Sequence, residues 1–361
     1  MLTNPERGSD EPLLAVEGLR TRFPTERGVV HAVDDVSFDL ARGERLGVVG
    51  ESGSGKSVLA RSVMRLLPSA AWSAGSVTFG GRDLMQLSDD QAREIWGSEI
   101  AMVFQNPMTS LNPVMRIGRQ ITESLELHEG LQGAAASDRA VALLRMVGIP
   151  EPASRLRSYP HELSGGMRQR VGIAIAIACS PKLLIADEPT TALDVTIQRK
   201  ILDLLDRLGR ELDMALILIT HDLGVVAGRT DRLLVMYGGR VVEQGPTAAL
   251  FRRPRHPYTA SLLAAVPRLH QPSHTRLAAI PGRPVDVVDP APGCRFAPRC
   301  ARAQARCTEE DPQLAPAPGS PGHAFACFNP VEDPTSGSTV PVERPRVRGG
   351  SVDAEASVVV S

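Results

Sequence analysis

The sequence predicts an α/β fold: a mostly parallel sheet covered on both faces by helices, with an antiparallel β-subdomain before it and a helical subdomain inserted into it. Three observations carry this expectation. The stretches "LLIA" (183–186) and "LILI" (216–219) are apolar without alternation, as strands buried on both faces are. The stretch "ERLGVVG" (44–50) reads as a short strand that runs through a glycine-rich turn into a helix, "KSVLARSVMRLL" (56–67). From about Asn106 to Ser180 the pattern turns mostly helical, in "ITESLELHEGL" and "DRAVALLRMVGI".

Taken in order, residues 1–10 are polar and read as a disordered tail. "LLAVEGL" and "DDVSFDL", between Leu13 and Leu40, are short alternating segments of antiparallel strands. Further strands are expected at "SVTFGG", "IAMVFQ", "KLLIADE" and "MALILITHD". "RLLVMYGGRVVEQG" (232–245) places Gly-Gly between two β-rich runs, which is the pattern of a hairpin. The α/β core thus spans residues 11–250, with its helical subdomain at about 106–180. After Phe251 the composition shifts to proline, arginine and clustered cysteine, which marks a separate small module over 251–330. Residues 331–361 read as a disordered tail.

Composition narrows the function. Of 361 residues 42% are hydrophobic and 22% charged, ordinary for a globular chain. A formal net charge of −1 argues against nucleic acid as a partner. The N-terminus lacks an apolar signal region, and no apolar run approaches the ~20 residues that span a bilayer. A cytoplasmic protein is expected, with its five cysteines free or metal-bound.

The phosphate chemistry is written in "GESGSGKS" (50–57), which fits G-x-x-x-x-G-K-[ST] between a strand and a helix. Gly50, Gly53 and Gly55 let the backbone curl, so that the loop with Glu51, Ser52 and Ser54 turns N–H groups toward phosphate oxygens. Lys56 is expected on the β- and γ-phosphates and Ser57 on Mg²⁺. The strand "LLIADE" projects Asp187 toward the metal, and Glu188 follows where a water-activating base belongs. These two motifs define an NTPase and no more. A second anion site stands at "LSGGMRQR" (163–170), where Ser164 caps a helix that opens on Gly165 and Gly166 and presents bare N–H groups.

That last string lies about two dozen residues before Glu188, and with it the chain from about Leu13 to Gly245 resembles the ABC ATPases. The resemblance implies ATP with Mg²⁺, and nucleotide-binding subunits paired head to tail. The signature residues Leu163, Ser164, Gly165, Gly166, Met167 and Gln169 of one subunit then close on the Walker loop of the other. It makes Gln105 the Q-loop glutamine and a Mg²⁺ contact, Asp194 of "TALD" the D-loop aspartate, and His221 of "LITHD" the γ-phosphate switch. Phe23 takes the adenine-stacking place, although Arg27-Gly28 stands where the family has Tyr-Gly.

"GESGSGKS", "FQNPMTSLNPVMRIGRQITE", "LSGGMRQRV" and "RPRHPYTASLLAAVP" resemble the oligopeptide/dipeptide importer branch in particular. Met167 and "PMTSLNP" look like its D-type subunit. This implies an F-type ATPase partner, two transmembrane permease subunits, a peptide-binding protein, and a place at the cytoplasmic face of the membrane. A nickel or other small-solute importer is the alternative. A non-transport ABC protein is less favoured, because the chain has one Walker loop and no heptad array. Cys294, Cys300, Cys307 and Cys327 suit tetrahedral Zn²⁺ or a [4Fe–4S] cluster, and spacing alone does not choose between them. The branch carries this pattern, in some members as an iron–sulfur site, which favours the cluster over zinc or free thiols. Cys179, apart from these, reads as a buried structural thiol.

Overall fold

The computed structural model describes residues 11–105, 110–191, 193–266 and 280–331. The tail expectations for residues 1–10 and 332–361, and the start of "NPMTSLNP" at 106–109, lie outside them. Two antiparallel strands open the chain, β1 (Leu14–Thr25) and β2 (Gly28–Leu40), followed by β3 (Arg45–Val49) and helix α1 (Lys56–Val63). Then come β4 (Trp72–Phe79), β5 (Arg82–Asp83), α2 (Asp89–Ile95) and β6 (Ile100–Val103). The predicted helical stretch holds α3 (Ile117–His128), α4 (Gly133–Met146), α5 (Pro152–Arg155) and α6 (Gly165–Ala176). Next are β7 (Leu183–Asp187), α7 (Val195–Glu211), β8 (Ala215–Thr220), α8 (Leu223–Val226), and the hairpin β9 (Arg232–Tyr237) and β10 (Arg240–Pro246). The chain continues through α9 (Thr247–Arg252), α10 (Pro257–Ala264), α11 (Arg306–Glu309), β11 (Ala315–Pro316) and β12 (Ala324–Phe325).

The strands form two sheets. One is antiparallel, in the order β2-β1-β4-β5; the other has the order β11-β12-β10-β9-β3-β8-β7-β6. In the second, β9, β3, β8, β7 and β6 run parallel. The unalternated strands are explained by two cores. Leu183 and Ile185 of β7 face the core shared with the antiparallel sheet and α1, whereas Leu184 and Ala186 face the core under the helical subdomain and α7. Strand β8 divides the same way, with Ile217 and Ile219 on one side and Leu216 and Leu218 on the other. A strand that feeds two cores has no polar face to alternate.

Residues 280–331 do not stand apart as the composition suggested. Strand β12 pairs with β10 and so extends the main sheet. Near residue 288 the chain lies along β2: the His31 N–H donates to the Val287 carbonyl, and the Asp289 N–H to the Val29 carbonyl. Glu243 on β10, fully buried, gathers three groups, two from the turn before α10 and one from residue 323. Its carboxylate accepts the backbone N–H groups of Arg255 (2.7 Å) and His256 (2.9 Å) and lies 2.7 Å from the His323 ring nitrogen.

His256 caps α10 through its own ring, whose Nδ1 accepts the Tyr258 N–H at 3.1 Å. Burial lowers its pKa from 6.5 to about 4, against the opposing charge of Glu243. The unfolded chain therefore binds a proton between those values that the native chain refuses. This contribution is complete above pH 6.5 and is lost as the pH falls toward 4, on the order of 3 kcal/mol in all. The denaturant midpoint should fall between pH 7.5 and pH 5, and fall less in His256→Asn, which can still cap the helix. An equal acid loss in both proteins would rule out His256 as the source.

Candidate nucleotide site

Residues 50–57 form the turn between β3 and α1, with β3 between β8 and β9 in the parallel part of the sheet. Gly55 caps α1 at φ +100°, and a Cβ there would lie 2.2 Å from the Ala32 carbonyl oxygen, so the position admits only glycine. Lys56 is buried, and its ammonium donates to the carbonyls of Gly50 (2.8 Å) and Glu51 (2.9 Å), across the mouth of the loop. Burial lowers its pKa, and the carboxylates of Glu188, Asp187 and Glu51 oppose that shift.

Two consecutive carboxylates end β7 and take different neighbours. Asp187 receives the Ser57 hydroxyl on Oδ1 at 2.8 Å. Its other oxygen is buried without a hydrogen-bond partner, and burial raises its pKa despite the Ser57 bond. A buried carboxylate oxygen left over beside a serine hydroxyl is a donor set that suits a hard divalent cation such as Mg²⁺. At Glu188 the backbone turns to φ +45°, and its N–H reaches the Ile219 carbonyl of β8. That conformation is costly for a non-glycine residue. The Glu188 carboxylate meets Gln105 Nε2 (2.9 Å), the Thr191 hydroxyl (2.8 Å) and His221 Nδ1 (3.2 Å). Burial pushes its pKa up, but the hydrogen bonds from Thr191 and His221 outweigh this and hold it below the usual range. Glu188 is thus ionised and aimed.

An open cleft of about 480 Å³ lies over these groups, lined by Glu51, Ser52, Gln105, Glu188, His221 and Pro284. The predicted loop, both β7 carboxylates, Gln105 and His221 therefore converge. Gln105 lies two residues beyond the end of β6 rather than within it. The signature residues do not line the cleft. Ser164 caps α6, its exposed Oγ accepting the Met167 N–H at 3.3 Å. Gly166 packs on α7 so closely that a Cβ would lie 2.9 Å from Ile197 Cγ2; Gly165 meets only Leu193, at an ordinary 3.5 Å. Leu163 is buried, Met167 packs against the core, and Gln169 is buried with its Nε2 unpartnered. Asp194 caps α7 by accepting the Ile197 N–H at 2.9 Å. Phe23 lies in β1 opposite Val30, half-buried, and is not among the residues lining the cleft.

The partners of Glu51 are not legible in the sequence motifs. The fully buried Tyr258 accepts the Glu51 N–H on its hydroxyl at 2.8 Å. Arg299 grips the Glu51 carboxylate with both terminal nitrogens, at 2.6 and 3.0 Å. Pro284, from the same C-terminal region, completes the cleft wall.

The cysteine expectation is corrected. Among the described residues no group of three or more Cys, His, Asp or Glu side chains is placed to hold a metal ion, so neither a [4Fe–4S] cluster nor Zn²⁺ is supported. Cys294, Cys300, Cys307 and Cys327 do line one small cavity, of about 10 Å³, as free thiols. Burial raises the pKa of Cys294 and Cys300, and takes Cys327 to about 11. A segment rich in proline, arginine and clustered cysteine suggests little apolar core of its own. In fact Phe296 packs edge-on to Tyr237 (5.2 Å) and against Tyr258 (5.3 Å), sharing the core of the main sheet. Arg295 adds a buried ion pair to Asp34. Cys179 is half-buried, its thiol raised to about 11 by burial.

A glycine-rich loop between β3 and α1, paired carboxylates at the end of β7 and a helical insertion whose last helix, α6, begins with a glycine pair form the pattern of an ATP-binding cassette. Residues 33–191 match the family model of ABC transporters, and residues 242–307 that of the oligopeptide/dipeptide transporter C-terminal region. The chain is 50% identical over 321 residues to the oligopeptide transport ATP-binding protein OppD of Salmonella typhimurium, covering 89% of this chain and 95% of that protein. It is 51% identical over 304 residues to OppD of Bacillus subtilis (84% and 85% covered). To a putative peptide import ATP-binding protein of Brucella abortus it is 54% identical over 305 residues (84% and 92%). Among solved structures it resembles the ATP-binding cassette MJ0796, a dimer in a post-hydrolysis state bound to ADP and Pi. The TM-score is 0.58 at 28% identity, with 65% of this chain and 98% of that one covered. It also resembles cbiO1 of Clostridium perfringens, part of an ABC transporter complex (TM-score 0.56, 29% identity, 67% and 91% covered). The chain belongs to the ATP-binding proteins of ABC peptide transporters.

Proposed function

We propose that this chain is the ATP-hydrolysing subunit that powers import of di- and oligopeptides. The observation that carries the hydrolytic reading is the turn at Glu188, which sends Asp187 to Ser57 and Glu188 to Gln105 and His221. On this reading Lys56 and the backbone of 50–57 hold the β- and γ-phosphates. Ser57, Asp187 and Gln105 would hold Mg²⁺, which would supply charge neutralisation at the phosphates. Glu188, kept ionised, orients the attacking water and takes its proton; His221 holds the γ-phosphate.

The signature segment 163–169 and Asp194 serve a second ATPase subunit, of F-type, and that subunit's own signature closes over this cleft. Two permease subunits and a peptide-binding protein complete the assembly, with this chain at the cytoplasmic face of the membrane. Among the described residues no helix is long and apolar enough to cross it. In domain terms, residues 11–250 are the ATPase, with its helical subdomain near 106–180, and 251–330 the extension of the peptide branch. The names of the relatives and the match over 242–307 support peptide as cargo over nickel or another small solute. Peptide-stimulated ATP turnover of the assembled complex tests this. Stimulation by another solute and none by peptide would transfer the reading to that solute.

A further inference from the structure

A triphosphate loop with a glutamate as its second residue poses an electrostatic problem. Glu51 adds a negative charge beside Lys56, the one cation among residues 50–57, and its carbonyl already holds the Lys56 ammonium at 2.9 Å. Unpaired, that carboxylate repels the nucleotide. Arg299, 248 residues away, answers it with a bidentate pair. The guanidinium is held from behind: its Nε donates to the Pro281 carbonyl (2.8 Å) and it also donates to the Tyr237 hydroxyl (3.2 Å). Its side chain is 5% exposed, so water screens the pair little from the arginine side. The fork geometry is one that lysine does not reproduce. Tyr258 meanwhile fixes the Glu51 backbone.

We propose that Arg299 is a positioning residue for the nucleotide: it cancels the charge of Glu51 within the phosphate loop, so that the C-terminal region sets the affinity of this chain for ATP. The inference rests on the reading of residues 50–57 as the ATP loop. A purely structural clasp would make a different prediction, because breaking it from either end would loosen the loop and weaken binding. Charge cancellation predicts opposite signs. Arg299→Ala leaves the glutamate facing the phosphates and weakens binding; Glu51→Gln removes the repulsion, leaves the arginine's charge to the phosphates, and tightens it.

The test is equilibrium binding of a fluorescent ATP analogue with Mg²⁺ to the full chain, with Lys56→Ala as the control. Arg299→Ala should lose about ten-fold in affinity, the order of worth of one incompletely screened charge beside the phosphates. The double variant Arg299→Ala/Glu51→Gln should regain most of that loss, and Glu51→Gln alone should bind several-fold tighter than the wild type, by the same electrostatic argument. An unaltered Arg299→Ala, or a double variant as weak as Arg299→Ala, overturns the proposal. Should Arg299→Ala not fold, Glu51→Gln decides alone: tighter binding supports charge cancellation, and unchanged or weaker binding overturns it. A wild type that binds no better than Lys56→Ala would remove the ATP-loop reading, and this inference with it.

Discussion

Glu188→Gln should leave ATP binding intact while cutting turnover of the assembled complex by about 10²–10⁴, the usual worth of a general base. The geometry favours a large effect. The carboxylate is held by Gln105, Thr191 and His221 at 2.8–3.2 Å, and its lowered pKa keeps it ionised at neutral pH. The amide keeps the shape and can still take hydrogen bonds from Thr191 and Gln105, but it cannot accept a proton. Lys56, Ser57 and Asp187 are untouched, so nucleotide affinity should hold. Single-turnover kinetics with a separate binding titration distinguishes the two quantities. Wild-type turnover in this variant would remove Glu188 from the mechanism.

Ser164→Arg should act in the opposite place. Ser164 is exposed at the start of α6, outside the residues lining this chain's cleft. The substitution puts a bulky side chain where a neighbouring subunit's γ-phosphate is proposed to dock. Turnover at that neighbour's site should fall by about 10²–10³, as when a transition-state donor is lost. ATP binding by residues 50–57 should be unchanged. The cap itself costs only about 1 kcal/mol, so the fold should survive. Equal loss of ATP binding by the isolated mutant chain would contradict this division of labour.

Much of the site was legible because its chemistry is contiguous. "GESGSGKS" and "LLIADE" each carry their neighbours with them, and an apolar strand followed by a glycine turn or a carboxylate fixes where the side chains emerge. The parallel sheet was legible from β7 and β8 for the same reason: both cores are written into one strand. What stayed hidden depended on contacts across the chain. In "CRFAPRC" the cysteines drew attention as ligands, whereas Phe296 and the arginines between them are what join the segment to the sheet and the phosphate loop. No periodicity links residue 299 to residue 51, or residue 258 to either. Arg295 and Arg299 on either side of Phe296 were the available signal. Phe23 is a weaker case: a lone aromatic fits a stacking role by type, and its place in β1 opposite Val30, outside the residues lining the cleft, was not readable from the sequence.

The cleft over Lys56 and Glu188 is proposed as half of a site within a peptide-importing assembly. The most direct measurement is ATP turnover per chain, first for the isolated protein and then for the complex with the partner ATPase, permeases and binding protein in vesicles, with and without peptide. Turnover should be slow for the isolated chain, rise on assembly and increase again with peptide. Full turnover by the isolated chain, independent of its concentration and indifferent to peptide, would contradict it.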